Sequence, residues 1–343
     1  MGHSRGTTNE YTNHLEQIIP TPYQIFGKMK YKLHTKKLGG KMKERIFLVL
    51  ANLFWAGNYV FGKYVVEEMS PLWITFSRWI LALLVLFPVS YFVERPNYRD
   101  LIRIHWLPIF VMGILGVVGY NLFLYGALEY TSPMNASIVN SLNPAMIVIF
   151  SYFILKERIT IVNVAGFVLS LIGVLLILTE GRLELIFHTT YNRGDLMMIG
   201  ANLSWVLYSI IAKRLSIPPI TLTVCSVFFS VIVLLPFLFT EPIKLSDFSA
   251  GAMTGIIYMA IFPSVFSYIF WNASVKKVGP SHAGVYLNLI AVFTAIITLL
   301  LGESIQTTQI VGGALVLIGV YFATKAPKVL QSVRTNPPSA FQD

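Results

Sequence analysis

Of the 26 Lys and Arg residues in this 343-residue chain, only Arg78 falls deep within an apolar stretch long enough to cross a bilayer, away from its ends. It lies seven positions after Pro71, about 10 Å along a helix that rises about 1.5 Å per residue. A guanidinium in hydrocarbon costs about 2.5–3.5 kcal/mol even on permissive scales, so Arg78 must face protein or water. Two uses fit it. It can pin helix ends, through Glu129, Glu303 or terminal carbonyls, or it can hold an anionic ligand group, which for a carboxylate is bidentate. No Asp or Glu lies deep in any apolar stretch. A proton-coupled carrier usually titrates such a buried carboxylate. Coupling here would fall to Glu129, Glu157, Glu303 or His282, and exchange down a substrate gradient stands level with it.

Other polar groups sit in the same apolar stretches. Asn140, Asn143 and Asn288 lie beside Pro144 or in mid-stretch, where irregular backbone can line a cavity, and are candidate substrate contacts. Trp55, Tyr125, Trp205, Tyr208 and Tyr286 are candidate cavity walls with polar tips. Asn52 and Asn202 are expected to brace helices, Glu157 and Glu303 to orient the turn into the next helix, and Pro88 and Pro236 to have structural roles. The chain has no H-E-x-x-H, no P-loop, no buried Asp pair and no G-x-S-x-G in or beside an apolar stretch, and Cys225 is its only cysteine. An enzyme, a resident metal, a cofactor and an ATP-driven pump are therefore not expected. His3, His14 and His34 read as solvated tail.

These residues must be positioned by membrane helices. The chain is 55% hydrophobic and only 12% charged, against about 25% charged in a soluble domain. Ten runs of roughly membrane length appear, at 45–66, 71–92, 105–125, 133–155, 161–179, 195–212, 220–240, 249–274, 281–301 and 307–324. Backbone groups cannot go unpaired in lipid, so an all-α membrane protein with ten transmembrane helices is expected. With the N-terminus cytoplasmic, 21 Lys and Arg fall inside and four outside, which puts both termini in the cytoplasm of a multi-pass plasma-membrane protein. The +10 net charge follows this loop pattern, so nucleic acid is not expected as a partner. The expected partners are a small-molecule substrate and the lipid bilayer, with a homodimer as a candidate assembly. Residues 1–44 read as a basic tail, with Met29 or Met42 as candidate native starts that intact mass would test. Residues 325–343 form the second cytoplasmic tail.

The chain also repeats itself. Residues 51–63 (ANLFWAGNYVFGK) and 201–213 (ANLSWVLYSIIAK) share Ala, Asn, Leu, Trp and Lys at a shift of 150. Pro71 and Pro219, like Pro88 and Pro236, lie 148 apart. Two units, 45–180 and 195–324, follow, each with five helices. Because five is odd, the second enters from the opposite side, giving two inverted five-helix repeats with a site near mid-membrane.

Trp55, Pro71, Arg78, Tyr125-Gly126-Ala127-Leu128, Asn135-Ala136-Ser137, Leu142-Asn143-Pro144 and Leu155-Lys156-Glu157-Arg158 resemble the drug/metabolite transporter superfamily with two EamA-type domains. In the second half the likeness is carried by Trp205, by Ala283 through Asn288, and by Leu301-Gly302-Glu303. It implies a central cavity lined by helices 1–4 and 6–9, with helices 5 and 10 peripheral. Ala291 stands near where the family often has proline, and Ser226 stands opposite Arg78, so helix 9 is expected to bend differently from helix 4. The resulting expectation is a secondary transporter exporting a small amphipathic metabolite such as an amino acid. Drug or toxic-compound efflux is the alternative, followed by a channel or a lipid-handling protein.

Overall fold

The computed structural model describes residues 39–127, 130, 139–188, 192–241, 248–302 and 306–324. The helices pack within a single unit that begins at Glu44. Among the described residues eight helices are long and apolar enough to cross a membrane. They are α1 (Gly39–Val65), α2 (Pro71–Val93), α3 (Tyr98–Ala127), α5 (Ile161–Leu178), α6 (Arg193–Arg214), α7 (Pro219–Thr240), α8 (Ala250–Val278) and α9 (Pro280–Leu300). Two shorter apolar helices, α4 (Asn143–Leu155) and α10 (Thr307–Ala323), occupy the positions of the other two expected spans. The described residues thus give eight membrane-length helices where the sequence predicts ten spans. The start expected for span four, 133–138, lies outside them, as do Glu129, Asn135, Ala136, Ser137 and Glu303. Large apolar side chains such as Phe153, Ile161, Phe239 and Leu300 point outward and are at least 73% exposed, as a lipid-facing surface requires.

The helices of the two halves pack pairwise and antiparallel. Glu94, at the end of α2, accepts the N–H groups of Ile220 and Thr221 at 3.1 and 2.7 Å, satisfying orphan donors at the start of α7. Glu241, 147 positions later at the end of α7, accepts from Ser70 Oγ, and its carbonyl accepts the Trp73 indole N–H at 2.7 Å at the start of α2. Helix α1 runs against α8 from the Glu44–Lys277 pair at 2.6 Å, through stacked Phe47 and Phe270, to Glu68, which caps α8 at Ser249. In the same way α3 lies on α6, with Gly116 against Tyr208 and Gly126 against Met197.

The closest approach is between α5 and α10. A Cβ built on Gly173 would come within 2.6 Å of the Gly312 carbonyl, and one on Gly319 within 2.6 Å of the Gly166 carbonyl. Gly166 and Gly173 are the repeat mates of Gly312 and Gly319 at a shift of 146. Small residues let backbones meet in this way, and no flexible side chain is available to yield. Gly319→Val is therefore expected to destabilise the protein by about 1–3 kcal/mol. A melting curve in detergent checks this, with Gly313→Ala as the control, since a Cβ there meets nothing nearer than 3.9 Å.

Both third helices are wound wide at matching places. Gly113–Gly119 in α3 and Ala260–Phe266 in α8 are π-helical, 147 residues apart. In α8 the cause is Pro263, which has no N–H and whose ring clashes with the preceding turn. The Met259 carbonyl accepts instead from Ser264 Oγ at 2.8 Å. In α3 glycine permits the wider turn, and Gly113 lets the Ser226 carbonyl of α7 approach closely. Such turns often mark functional sites.

The mated prolines and asparagines behave differently from one another. Pro88 sits within the continuous helix α2, whereas Pro236 begins the tight terminal turns Leu235–Thr240 of α7. Asn52 donates to Leu48 of its own helix at 2.6 Å, whereas Asn202 donates to the Val139 carbonyl at 2.9 Å, so only the second ties two segments together.

Candidate functional site

Two connected cavities lie between the halves. The larger, about 610 Å³, has mostly apolar walls that include Val174, Ile177, Leu287, Ile290 and Ala291, with Tyr125 and Asn288 among its polar groups. The exposed Glu67 and Glu180 line it at one end, so it communicates with the face that carries the ends of α1 and α5. The family resemblance places helix 5 at the periphery, yet α5 forms part of this wall. Ser170 of α5 accepts from Asn288 of α9 at 2.8 Å, which holds α5 against this wall.

At its base the cavity narrows to a recess of about 40 Å³. Asn58, Tyr59, Leu124, Asn140, Leu287 and Ile290 line both spaces. Arg78, Trp55, Asn121, Asn143, Trp205 and Tyr268 line the recess.

Arg78 is 3% exposed. Its Nε donates to Ser264 Oγ at 2.9 Å, and its Nη1 donates to Tyr125 OH at 2.9 Å and Asn121 Oδ1 at 3.3 Å. The guanidinium also stands 5.3 Å from the Trp79 ring. No carboxylate among the described residues pairs with it, and its Nη2 has no hydrogen-bond partner among them. A buried charge held only by neutral acceptors is incompletely compensated, so an anionic group entering the recess would meet two free N–H donors in a low-dielectric space.

The floor is aromatic. Trp205 lies 5.2–5.4 Å from the rings of Trp55, Tyr120, Tyr208, Tyr268 and Trp271. Hydrogen bonds fix the surrounding rings: Tyr268 OH donates to the Gly116 carbonyl at 2.6 Å, and Trp271 Nε1 donates to Ser209 Oγ at 3.1 Å. Beyond this floor the opposite end is tied shut. Glu157 accepts the Ser281 N–H at 3.2 Å, Arg214 donates to the Ile154 carbonyl at 2.9 Å, and Lys276 donates to the Ile217 carbonyl at 2.7 Å. Glu157 thus meets the start of α9, not the turn into α5 that the sequence predicts. Lys156, at φ 54°, takes the helix-ending left-handed turn instead and aims Glu157 across.

Of the substrate contacts expected from sequence, Trp55, Arg78, Asn140, Asn143 and Trp205 line the recess, and Tyr125, Asn140 and Asn288 line the larger cavity. Asn288 also donates to Ser170 Oγ at 2.8 Å, joining α9 to α5. Tyr208 and Tyr286 line neither space. Tyr208 is stacked under Trp205, with its hydroxyl accepting from Asn272 at 2.7 Å, and Tyr286 is buried in the helix core, where the tight turns Val285–Asn288 point it away from the cavity. These turns, with Ala291 inside the following helix, are where α9 departs from regular winding. Sequence reasoning missed Ser264 as an Arg78 partner. Pro263 in mid-span was the available signal.

The EamA-like transporter family matches residues 42–179 and 192–325. The chain is 33% identical over 283 residues to the uncharacterized transporter YyaM of Bacillus subtilis strain 168, covering 81% of this chain and 92% of that protein. It is 29% identical over 292 residues to an uncharacterized transporter of Archaeoglobus fulgidus, covering 82% and 97%. A crystal structure superposes with a TM-score of 0.70 at 20% identity, over 82% of this chain and 96% of the other, which is a likeness of fold.

Proposed function

Since the chain belongs to the EamA-like transporter family, we propose that it is a secondary carrier that exports a small amphipathic metabolite, such as an amino acid, across the plasma membrane. The proposed mechanism is alternating access between two inverted five-helix repeats, 45–180 and 195–324, with ten membrane crossings and cytoplasmic termini. The single observation that carries the substrate reading is Arg78: a buried guanidinium with no carboxylate partner among the described residues, at the base of a cavity between the halves. The antiparallel pairs α2–α7 and α5–α10 and the mated π-helical turns support the inverted arrangement.

The cavity communicates with the face bearing Glu67 and Glu180, while Glu157, Arg214 and Lys276 tie the other. With cytoplasmic termini this is the outward-facing state. The cycle then requires those ties to break and the aromatic floor to part. The mostly apolar wall of the larger cavity favours efflux of hydrophobic compounds as a second reading.

Counterflow in proteoliposomes tests the proposal. Labelled substrate should accumulate transiently against unlabelled substrate and saturate. Linear, unsaturating flux would mark a pore and end the carrier reading. A melting-temperature screen against a metabolite library finds the compounds to label, because a ligand stabilises the state it binds.

A further inference from the structure

We infer that the two widened turns, Gly113–Gly119 in α3 and Ala260–Phe266 in α8, are a coupled pair of hinges at which these helices flex during the transport cycle. This rests on the carrier reading and adds where the moving parts bend and what joins them. A backbone group left unpaired in lipid is costly, so a membrane helix bends only where other donors stand ready for its freed carbonyls. Side chains do this at both turns. In α8, Ser264 Oγ donates to the Met259 carbonyl at 2.8 Å and Ser267 Oγ to the Phe262 carbonyl at 3.2 Å, each five residues back. In α3, Asn121 Nδ2 donates to the Val117 carbonyl and Tyr268 OH to the Gly116 carbonyl, both at 2.6 Å. A side chain can follow a carbonyl through a change of pitch that the fixed N–H of a regular helix cannot. Pro263 removes a further backbone donor within the turn of α8.

The two turns are also joined across the halves, and the joint is reciprocal. Ser264, inside the turn of α8, accepts from Arg78 of the first half, and Gly116, inside the turn of α3, accepts from Tyr268 of the second. Arg78 reaches Asn121 as well, so one guanidinium contacts a side chain that serves each turn. A change of pitch in one turn therefore moves a group that holds the other, and the two flex together. Arg78 and Tyr268 both line the recess, which places the joint between the open cavity and the tied end. Flexing there swings the ends of α3 and α8 while the middle of the bundle stays packed, as hinge motion requires.

Hydrogen exchange on the full chain in detergent tests this without any substrate. Amides of residues 114–120 and 261–267 should exchange at least about tenfold faster than those of the flanking turns of the same helices. Pro263→Ala restores the missing donor and should stiffen α8. Exchange should then slow in α8 and, through Tyr268 and Arg78, in α3 as well. Tyr268→Phe keeps the ring but removes the hydroxyl, and added to Pro263→Ala it should return α3 toward the parent rate. In proteoliposomes Pro263→Ala should lower the maximal counterflow rate about fivefold while melting at or above the parent temperature, because a stiffer hinge slows the conformational step. Widened turns that exchange as slowly as their flanks, a Pro263→Ala effect confined to α8, or an unchanged counterflow rate would each overturn the coupled hinges. Absence of saturable counterflow in the parent would instead end the carrier reading, and hydrogen exchange would still decide the coupling. Where Pro263→Ala fails to fold, the comparison within the parent and Tyr268→Phe on its own, which should quicken exchange in α3, decide the matter.

Discussion

Arg78→Ala is expected to abolish saturable transport while the protein still inserts and folds. Truncating one partner of a buried, hydrogen-bonded charge pair costs about 2–5 kcal/mol of binding, which is roughly thirtyfold to several thousandfold in affinity. The carboxylate partner here is the ligand's, so the loss should fall on ligand affinity. Arg78→Lys should fail nearly as badly. One ammonium cannot reach Ser264, Tyr125 and Asn121 and still present N–H donors to a ligand. Melting temperature separates binding from scaffolding. If Arg78 mainly pins helices, Arg78→Met lowers the melting temperature of the ligand-free protein. If it binds substrate, that temperature holds steady and only the ligand-induced rise disappears. A ligand-free protein that melts early, together with retained counterflow, would move Arg78 from the site to the scaffold.

Trp205→Ala should have the largest structural effect. Its ring touches five others, so truncation opens a void at the junction of both halves and costs about 3–5 kcal/mol. The same void removes the floor between the recess and the tied end, so the variant should also leak, with flux that no longer saturates. Trp205→Phe keeps most of the packing and should restore saturation. Trp55→Ala should lose transport as well, since Trp55 lines the recess, but it should melt closer to the parent because it is 9% exposed at the cavity surface. Melting curves and flux measured on the same preparations check all three. A Trp205→Ala protein that melts and transports like the parent would dismiss the floor.

The membrane class, the two repeats and the need for Arg78 to be buried among protein groups were legible in the sequence. Each depends on a quantity that residues carry individually or at fixed spacing: apolar length against bilayer thickness, a repeat shift near 150, and a charge with no acidic neighbour in hydrocarbon. Asparagines and aromatic residues were harder, because their roles depend on which face meets which neighbour. Asn52 and Asn202 are mates at a shift of 150, yet one bonds its own helix and the other crosses to Val139. Tyr208 and Tyr125 both looked like cavity walls, yet a ring under Trp205 leaves Tyr208 in the core while Tyr125 reaches Arg78.

What only the tertiary structure decided is the asymmetry of the site. The repeat puts similar residues in both halves, but packing brings together Arg78 of α2, Ser264 of a π-helical turn in α8, and Asn58 and Asn143 at one recess. Those positions are up to 206 residues apart, and the contact of Arg78 with Ser264 depends on where α8 widens. Pattern along a chain reports the period of one helix. It does not report the rotation of that helix against its partner, which packing sets, and that rotation determines which polar atoms face a common space.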